Sequence, residues 1–331
     1  MVKYLSIFAV CFICGFLLWQ RLLSPLAPDN FTQRIYKIFF DLFDNRPVEQ
    51  RYITLNLSGG LGNRMFQYAS AYAYGKEHYK TVVVAGGSEI FERAFGIHLN
   101  LLDKNDVRFF PAMPAIRRKT ISATMHMGNG GNFLSNPDII MMHGYFQNEK
   151  FFKKYAAAIR KLFTFKGGLS PENKKLLALI KGQNAVSVHI RRTDYVNYGY
   201  YYVLSVGYYK RAMKYMAAHV DKPHFYIFSD DISWVENNME FNYPHTFVKT
   251  NRGNDSYLDM WLMSECKHNI IANSTFSWWG AWLNKNPEKI VIAPDVWGFS
   301  TDPYEKTQKL VNEIVPKEWI IISNIPKGEE D

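Results

Sequence analysis

Residues 52–85 read YITLNL, then SGGLGNRMFQYASAYAYGKEHYK, then TVVVA. The first six residues are typical of a short strand, and the turn Ser58–Gly60 closes it. A helix is predicted next, with one apolar face made of Met65, Tyr68, Ala69, Tyr72 and Ala73. A second strand, predicted to be buried, follows at Thr81–Ala85. Strand, glycine turn, helix and strand form a βαβ unit, which predicts a parallel sheet and an α/β fold.

The C-terminal half alternates between predicted strands and predicted helices. The strands are Ala185–Ile190, His224–Phe228, Thr246–Val248, Asn269–Ala272 and Lys289–Ala293, and the helices are Val206–Val220, Ser256–Lys267 and Ser274–Asn284. Such alternation is typical of a doubly wound α/β domain. We therefore expect two Rossmann-like domains that face each other across a cleft, formed by residues 51–181 and residues 182–331.

Composition agrees with this fold class and excludes others. Of 331 residues, 47% are hydrophobic and 21% are charged, which is enough apolar material for two compact cores and too much for a disordered chain. Cys11 and Cys14 lie in an apolar N-terminal run. Cys266 is therefore alone in the body of the chain, and no intramolecular disulfide is available there.

The net charge is +9, and most of the excess lies in one segment. Residues 149–181 contain nine Lys and Arg residues against Glu149 and Glu172. Their spacing indicates the solvated faces of two helices. Because no zinc-finger, RNA-recognition or basic-region motif accompanies this segment, we expect no nucleic-acid partner.

The amino terminus carries an apolar run that predicts a membrane anchor. Tyr4–Trp19 contains no charged residue, and its length is near the short limit for a spanning helix. No small-residue cleavage site of a secretory signal peptide follows it. We therefore expect a cytoplasmic tail at residues 1–3, an uncleaved signal anchor at 4–20 and a lumenal stem at 21–50, in preference to a cleaved signal.

A body in the lumen of the secretory pathway would meet the glycosylation machinery. The sequons that are candidates for glycosylation are Asn30, in the stem, and Asn254, in the body. The single N-terminal helix predicts attachment to a membrane. A homodimer could form through this helix or through the stem.

Four segments could carry chemistry, and the first is the glycine loop Gly59–Arg64, between the first strand and the helix. Glycines there allow backbone N–H groups to approach a phosphate, and a helix N-terminus favours an anion. Met65 replaces the third glycine of a dinucleotide fingerprint, and no G-K-[ST] is present, which excludes a P-loop. The loop is interpreted either as an anion site or as a tight turn.

The second segment, His189–Tyr195, reads HIRRTDY and ends a strand predicted to be buried. Ligands bind to α/β sheets at the carboxyl ends of strands. Arg191 and Arg192 are costly there unless an anion or an acid partners them. Asp194 could neutralise one guanidinium, but two arginines outnumber this one acid, which favours an anionic ligand.

The third segment is Ser229–Asp231, which also ends a predicted strand. The carboxylates of Asp230 and Asp231 could accept hydrogen bonds from N1–H and N2–H₂ of a guanine base. Adjacent carboxylates also suggest a metal site. A simpler interpretation is an N-cap for the helix that follows.

The fourth segment, Asn273–Leu283, reads NSTFSWWGAWL. Asn273, Ser274 and Thr275 end a strand and open a helix, so hydroxyl and free N–H groups are available to an anion. The tryptophans of this segment fall close together on the helix. They are interpreted as core residues in preference to a ligand platform.

In this order and on these elements, the four segments resemble the signatures of the α-1,2-fucosyltransferase family, the inverting galactoside 2-fucosyltransferases that use GDP-fucose. The glycine loop and the residues up to Ala69 are similar to the family's amino-terminal signature, with Arg64 where Gln is more usual. HIRRTDY is similar to its arginine motif, and the other two segments resemble its remaining motifs. The resemblance runs from about residue 52 to residue 300.

The resemblance implies a GT-B-like fold, a type II membrane protein of the Golgi, and transfer of L-fucose to the 2-hydroxyl of a β-galactose in a glycan. It also implies that no metal or other cofactor is required, in agreement with the absence of D-x-D from the sequence. Two alternatives stay open. One is fucosylation of another hydroxyl or of protein, and the other is a non-catalytic protein that binds a nucleotide sugar or a glycan.

The resemblance also implies roles for individual residues. Arg191 is expected to stabilise the charge that grows on the leaving phosphate, and Asp194 or His189 is the candidate general base. Asp230 or Asp231 is expected to bind guanine. The residues implied in donor binding are Gly60, Gly62, Asn63, His189, Arg192, Asp230, Asp231, Asn273, Ser274, Thr275 and Phe276.

Overall fold

The computed structural model describes residues 52–78, 81–84, 86, 89–100, 118–123, 139–199 and 201–324. Within these residues, no helix combines the length and the apolar character that a membrane span needs. The predicted tail, anchor and stem, and with them Asn30, lie outside the described residues. The predictions made for them are therefore neither confirmed nor contradicted.

Two parallel sheets form the framework. The strands are β1 (Tyr52–Leu55), β2 (Thr81–Val84), β3 (Arg118–Ala123), β4 (Ile139–Gly144), β5 (Asn184–Ile190), β6 (Pro223–Ser229), β7 (His245–Phe247), β8 (His268–Ile270), β9 (Val291–Pro294) and β10 (Ile320–Ile322). One sheet has the order β2-β1-β4-β3 and the other has the order β10-β9-β8-β5-β6-β7. All pairings within these sheets are parallel, which confirms the predicted α/β class.

In the described part of the chain, helices lie between successive strands except between β3 and β4, where residues 124–138 are outside it. These helices are α1 (Leu61–His78), α2 (Glu89–Phe95), α3 (Ala156–Leu162), α4 (Pro171–Lys181), α5 (Thr193–Tyr198), α6 (Val206–His219), α7 (Ile232–Asn238), α8 (Tyr257–Glu265), α9 (Thr275–Leu283) and α10 (Tyr304–Ile314). The three helices predicted in the C-terminal half are α6, α8 and α9. Their predicted bounds are close to the observed ones because serines mark the N-caps, as Ser274 does for α9.

The four-stranded sheet differs from the prediction in two respects. The strand predicted to be buried at Thr81–Ala85 is the edge strand β2, in which Thr81 is exposed and Val84 is buried. This prediction was wrong because β2 pairs with β1 on one side only, which leaves its other edge open. β3 and β4 were not predicted, since residues 100–150 lack a clear alternation of strand and turn signals.

The basic segment 149–181 forms the two predicted helices, α3 and α4, preceded by two short 3₁₀ turns. Its lysines are all exposed, so their interpretation as a solvated face is confirmed. Arg160 is the exception in this segment. Its guanidinium carbon lies 4.0 Å from the centre of a Trp282 ring, and its Nη1 donates to the Trp282 carbonyl oxygen.

The tryptophans of α9 join the two sheets in one core. Trp278, Trp279 and Trp282 are all buried, which confirms their interpretation as core residues. The ring of Phe66, on α1, lies 4.4 Å from that of Trp278 and 5.0 Å from that of Trp279. The indole N–H of Trp279 also donates to the carbonyl oxygen of Gly62, at 3.0 Å. The packing of α9 therefore fixes the glycine loop against the six-stranded sheet.

Candidate active site

A cavity of about 540 Å³ lies where the glycine loop faces the carboxyl ends of the six-stranded sheet. It brings together nearly all of the predicted site residues. Those that line it are Gly60, Gly62, Asn63, His189, Arg191, Asp194, Asp230, Asn273, Ser274, Thr275 and Phe276. Arg192 and Asp231 are not among its lining residues.

The N-termini of α1 and α9 meet at this cavity. A Cβ atom on Gly62 would lie 2.5 Å from the carbonyl carbon of Thr275, so only glycine permits this approach. The Asn63 Oδ1 accepts hydrogen bonds from the Thr275 hydroxyl, at 3.0 Å, and from Gln147 Nε2, at 2.9 Å. The first N–H groups of a helix lack partners within the helix. The N-termini of α1 and α9 therefore both present backbone donors to the cavity. This arrangement is suited to an anion.

Arg191 is held by two carboxylates. Its Nη2 lies 2.8 Å from Asp194 Oδ1 and its Nη1 lies 3.3 Å from Asp230 Oδ2. Burial lowers the pKa of Arg191, but the hydrogen bond to Asp194 and the charges of both carboxylates raise it more. Asp230 itself accepts from the Arg192 backbone N–H, at 2.9 Å, and from the Thr193 hydroxyl, at 2.5 Å. Asp230 therefore fixes the orientation of Arg191, which stays charged.

The side chain of Arg192 packs against α7 instead of lining the cavity. Its guanidinium carbon lies 3.2 Å from the centre of a Trp234 ring, and its Nε lies 3.7 Å from Asp231 Oδ2. Asp231 also accepts from the Trp234 backbone N–H, at 3.2 Å, which confirms its interpretation as the N-cap of α7. The carboxylates of Asp194, Asp230 and Asp231 thus surround the two guanidinium groups. The expectation that the arginines outnumber their acids was wrong.

His189 lies deep in the cavity and is neutral. Burial and the charge of Arg191 lower the pKa of His189 to about 3. Its Nδ1 has no hydrogen-bond partner among the described residues, and its ring lies 5.6 Å from that of Phe276. Such a weak base is a poor acceptor for a proton at neutral pH. Its free nitrogen is nevertheless available to a polar group of a ligand.

Asp259 is a site residue that the sequence analysis missed. It lines the cavity, accepts a hydrogen bond from Asn251 Nδ2 at 2.7 Å, and lies in the first turn of α8. Burial raises the pKa of Asp259 to about 7. The sequence offers little signal for it, because an acidic residue in the first turn of a helix is ordinarily explained by the helix dipole.

Two N-glycosylation sequons in the body of the chain, at Asn254 and Asn273, differ in exposure. Asn254 lies exposed in a 3₁₀ turn beside the cavity, and its glycosylation stays a prediction. Asn273 is buried, with its Nδ2 donating to the carbonyl oxygen of Tyr202 at 2.9 Å.

The predicted absence of a disulfide concerns Cys266. Its thiol is buried and forms no disulfide within the described residues.

Comparison with known proteins identifies the family. The model of glycosyl transferase family 11 matches residues 30–323. The chain belongs to glycosyl transferase family 11. The resemblance described from the four motifs is thereby confirmed, and the protein is a glycosyltransferase.

Relatives in this family match most of the chain. An alpha-1,2-colitosyltransferase of Escherichia coli is 30% identical, over 82% of this chain and 98% of the relative. A galactoside 2-alpha-L-fucosyltransferase of Caenorhabditis elegans is 25% identical, over 96% of this chain and 91% of the relative. A mutant of the FUT1 protein of Arabidopsis thaliana, solved in complex with GDP, is 12% identical with a TM-score of 0.50, over 89% of this chain and 80% of that one. The fold is shared with such proteins and is GT-B-like.

Proposed function

We propose that this glycosyltransferase transfers L-fucose from GDP-fucose to the 2-hydroxyl of a β-galactose unit, with inversion at the anomeric carbon. The observation that carries the proposal is the meeting of Arg191 with the N-termini of α1 and α9 at one cavity. Two further findings support it. A relative that spans nearly the whole chain is a galactoside 2-alpha-L-fucosyltransferase, and a protein with a similar fold was solved with GDP.

The pyrophosphate of the donor is proposed to lie between Arg191 and the two helix N-termini. In the reaction, the bond between the anomeric carbon and the β-phosphate oxygen breaks, and the electron pair stays on GDP. Donors that are already in place around that oxygen stabilise the growing charge. Arg191 is preorganised for this role, because Asp194 and Asp230 hold its guanidinium on both sides.

The acceptor hydroxyl attacks the opposite face of the anomeric carbon, and its proton passes to a base. We assign this role to Asp194. Its carboxylate lines the cavity and its side chain is 37% exposed, so a hydroxyl can reach it. Protonation neutralises the charge of Asp194, whereas it would place a second positive charge on the buried His189 beside Arg191, which is why the pKa of His189 is lowered to about 3. Its free Nδ1 is instead proposed to bind the donor.

The base of the donor is proposed to lie near Asp259, which replaces Asp230 and Asp231 in this role. The Asp230 carboxylate accepts two hydrogen bonds besides its pairing with Arg191, and Asp231 caps α7 and pairs with Arg192. Asp259 lies at the end of the cavity that follows β7, where Asn251 also lines it. When ionised, its carboxylate can accept from N1–H and N2–H₂ of guanine.

The test is a transfer assay with the full-length chain. GDP-fucose is supplied with β-galactosides and with other sugars and peptides as acceptors, and the products are analysed by NMR. The proposal predicts an α-linked fucose on O2 of galactose. Transfer to another hydroxyl or to peptide would replace this function with a different fucosyltransferase activity. Binding of GDP without any transfer or hydrolysis would contradict catalysis of this reaction.

Colitosyl transfer is a second candidate, because the Escherichia coli relative at 30% identity is a colitosyltransferase. Colitose is L-fucose without its 3-hydroxyl, so the two donors differ in one group. Comparison of kcat/KM for the two GDP-sugars decides between them. A site that hydrogen-bonds the 3-hydroxyl should discriminate strongly against the sugar that lacks it.

We also propose that the protein is a single-pass type II protein of the Golgi membrane, with its catalytic body in the lumen. The proposal rests on the apolar run Tyr4–Trp19. Full-length protein should remain in the membrane pellet at alkaline pH and keep its original N-terminus. A secreted body with a new N-terminus near Ser24 would show that the run is a cleaved signal.

A further inference from the structure

The cavity has an aromatic end that the proposed function does not yet explain. The ring centres of Tyr195 and Tyr201 lie 4.6 Å apart, and those of Tyr201 and Phe299 lie 5.3 Å apart, in both cases with nearly parallel planes. The stack begins beside the catalytic group, because the Arg191 guanidinium carbon lies 5.6 Å from the centre of Tyr195. It ends at Phe299, which is 38% exposed.

A fourth ring reaches the same cavity from the other sheet. Tyr145 follows β4, lines the cavity and is 40% exposed. Its neighbours Gly144 and Phe146 have φ values of 119° and 53°, and the left-handed conformation is costly for phenylalanine. Gln67 Nε2 donates to the Gly144 carbonyl oxygen at 3.0 Å, which fixes the loop on one side. The turn that carries Tyr145 is thus fixed by its neighbours, and the Tyr145 ring is exposed at the cavity.

The order of strands separates this aromatic end from the proposed nucleotide end. Arg191 follows β5, in the middle of the sheet, whereas Asn251 follows the edge strand β7. Phe299 follows β9, on the other side of β5. A donor whose base lies near Asp259 and whose pyrophosphate lies at Arg191 therefore extends away from the aromatic end. An acceptor that attacks the anomeric carbon opposite the leaving phosphate approaches from this end.

We propose that Tyr145 and Phe299, termed the aromatic clamp, bind the acceptor sugar by stacking on the apolar face of its pyranose ring, while Tyr201 supports Phe299 from behind. This inference rests on the proposed function and adds the acceptor site to it. Galactose has its axial 4-hydroxyl on one face, which leaves a patch of C–H groups on the other. Rigid aromatic rings bury such a patch at little cost in conformational entropy.

The test uses kinetics of the full-length chain with GDP-fucose and a β-galactoside. Tyr145→Ala and Phe299→Ala should each raise the acceptor KM about tenfold, the change expected for loss of one stacked ring. The KM of GDP-fucose, the rate of GDP-fucose hydrolysis without acceptor, and kcat should change by about twofold or less. Ile321→Ala is the matched control, because Ile321 is 45% exposed on β10 and does not line the cavity.

Two further substitutions of Tyr145 distinguish stacking of its ring on the sugar from a general packing role of the side chain. Tyr145→Phe keeps the ring and should retain the normal acceptor KM, whereas Tyr145→Leu keeps apolar volume and should not. Melting temperatures of both variants are compared first. If Tyr145→Leu is as stable as Tyr145→Phe and binds acceptor normally, the clamp is contradicted. A rise in the KM of GDP-fucose instead of that of the acceptor would also contradict it, since the rings would then hold the donor.

Direct binding distinguishes this inference from the proposed function. Saturation-transfer NMR with a β-galactoside and GDP should show the strongest signals on the C–H groups of the apolar face, and weaker signals with Phe299→Ala. Such signals without any transfer by the wild type would refute the proposed function and support the clamp. Normal transfer with an unchanged acceptor KM in both alanine variants would refute the clamp alone. Absence of galactoside signals from the wild type would refute it as well.

Discussion

The two sides of the cavity differ in charge. On the side of the six-stranded sheet, the lining residues include Arg191, Asp194, Asp230, Arg252 and Asp259. The side that follows β1 and β4 contributes no charged residue to the described lining. It contributes Gly60, Leu61, Gly62, Asn63, Tyr145 and Gln147.

This difference separates two tasks of a transferase. The charged side can stabilise a leaving phosphate and receive a proton, which both require charge at a fixed place. The uncharged side offers backbone N–H groups, amides and one ring, which position substrates. Substitution of Arg191 or Asp194 on the first side should therefore affect turnover, whereas substitutions on the second side should affect stability and binding.

The largest effect is expected from Arg191→Ala. Loss of the guanidinium removes the donor that we propose acts on the leaving phosphate and should reduce kcat about 10²–10³-fold. Gln147→Ala, on the uncharged side, should reduce kcat much less. Rates are measured below the melting temperature of both variants, because Arg191→Ala also leaves Asp194 and Asp230 without their shared partner. An equal loss in Gln147→Ala would contradict the separation of tasks.

Gly62→Ala should have the next largest effect, which is a decrease in the free energy of unfolding. Its new Cβ would overlap the Thr275 backbone at 2.5 Å, so α1 and α9 must separate. Overpacking of this kind costs about 1–3 kcal/mol in the free energy of unfolding. Gly60→Ala is the control, because a Cβ there meets nothing within 4 Å. Urea unfolding of both variants measures the difference, and equal stability would mean that the two helices are not held in contact.

Asp259→Asn should alter the pH dependence of GDP binding. The pKa of Asp259 is about 7 in the folded protein, well above its usual value. If the ionised carboxylate binds guanine, GDP affinity rises as pH increases through about 7, and Asp259→Asn loses this dependence. Calorimetry across this range measures it. A pH dependence that persists in Asp259→Asn would assign the titration to another group.

The same shift has a consequence for stability. Because the folded pKa of Asp259 is raised, its contribution to stability is present below the unfolded pKa and is lost as pH rises through the folded one. Asp259→Asn should therefore stabilise the free protein more at about pH 8 than at about pH 5. Melting temperatures without ligand test the sign. A greater gain at the lower pH would contradict the raised pKa.

The smallest effect is expected from removal of divalent cations. The sequence lacks D-x-D, and Asp230 and Asp231 are engaged by arginines. Initial rates in EDTA should stay within about twofold of those without it, because protein groups supply the positive charge. A loss of about tenfold or more that Mn²⁺ restores would assign that charge to a metal ion instead.

The sequence was sufficient to predict which residues gather at the cavity but not how their charges pair. The four motifs end strands or open helices, and parallel strands bring such ends to one edge of a sheet. Pairing of Ile190 with Ser229 places the residues after β5 beside those after β6. Arg191 thereby meets Asp230, and Arg192 meets Asp231. A count of charges within one motif misses these partners, because register between strands creates them.

Residues outside the motifs could not be predicted for a related reason. Tyr145 and Phe299 have no polar pattern around them, and an isolated aromatic residue is ordinarily assigned to the core. Their proposed function depends on exposure at the cavity, where Tyr145 and Phe299 are both lining residues. Both features arise from tertiary packing.

The central claim is that Arg191, and not Arg192, acts on the leaving phosphate. The most direct measurement compares kcat for Arg191→Lys and Arg192→Lys with saturating GDP-fucose and acceptor. A lysine has one nitrogen and cannot span Asp194, Asp230 and a phosphate as the planar guanidinium does. The account predicts a loss of about 10²–10³-fold for Arg191→Lys and less than about tenfold for Arg192→Lys. Near-normal turnover in Arg191→Lys, or a greater loss in Arg192→Lys, would contradict it.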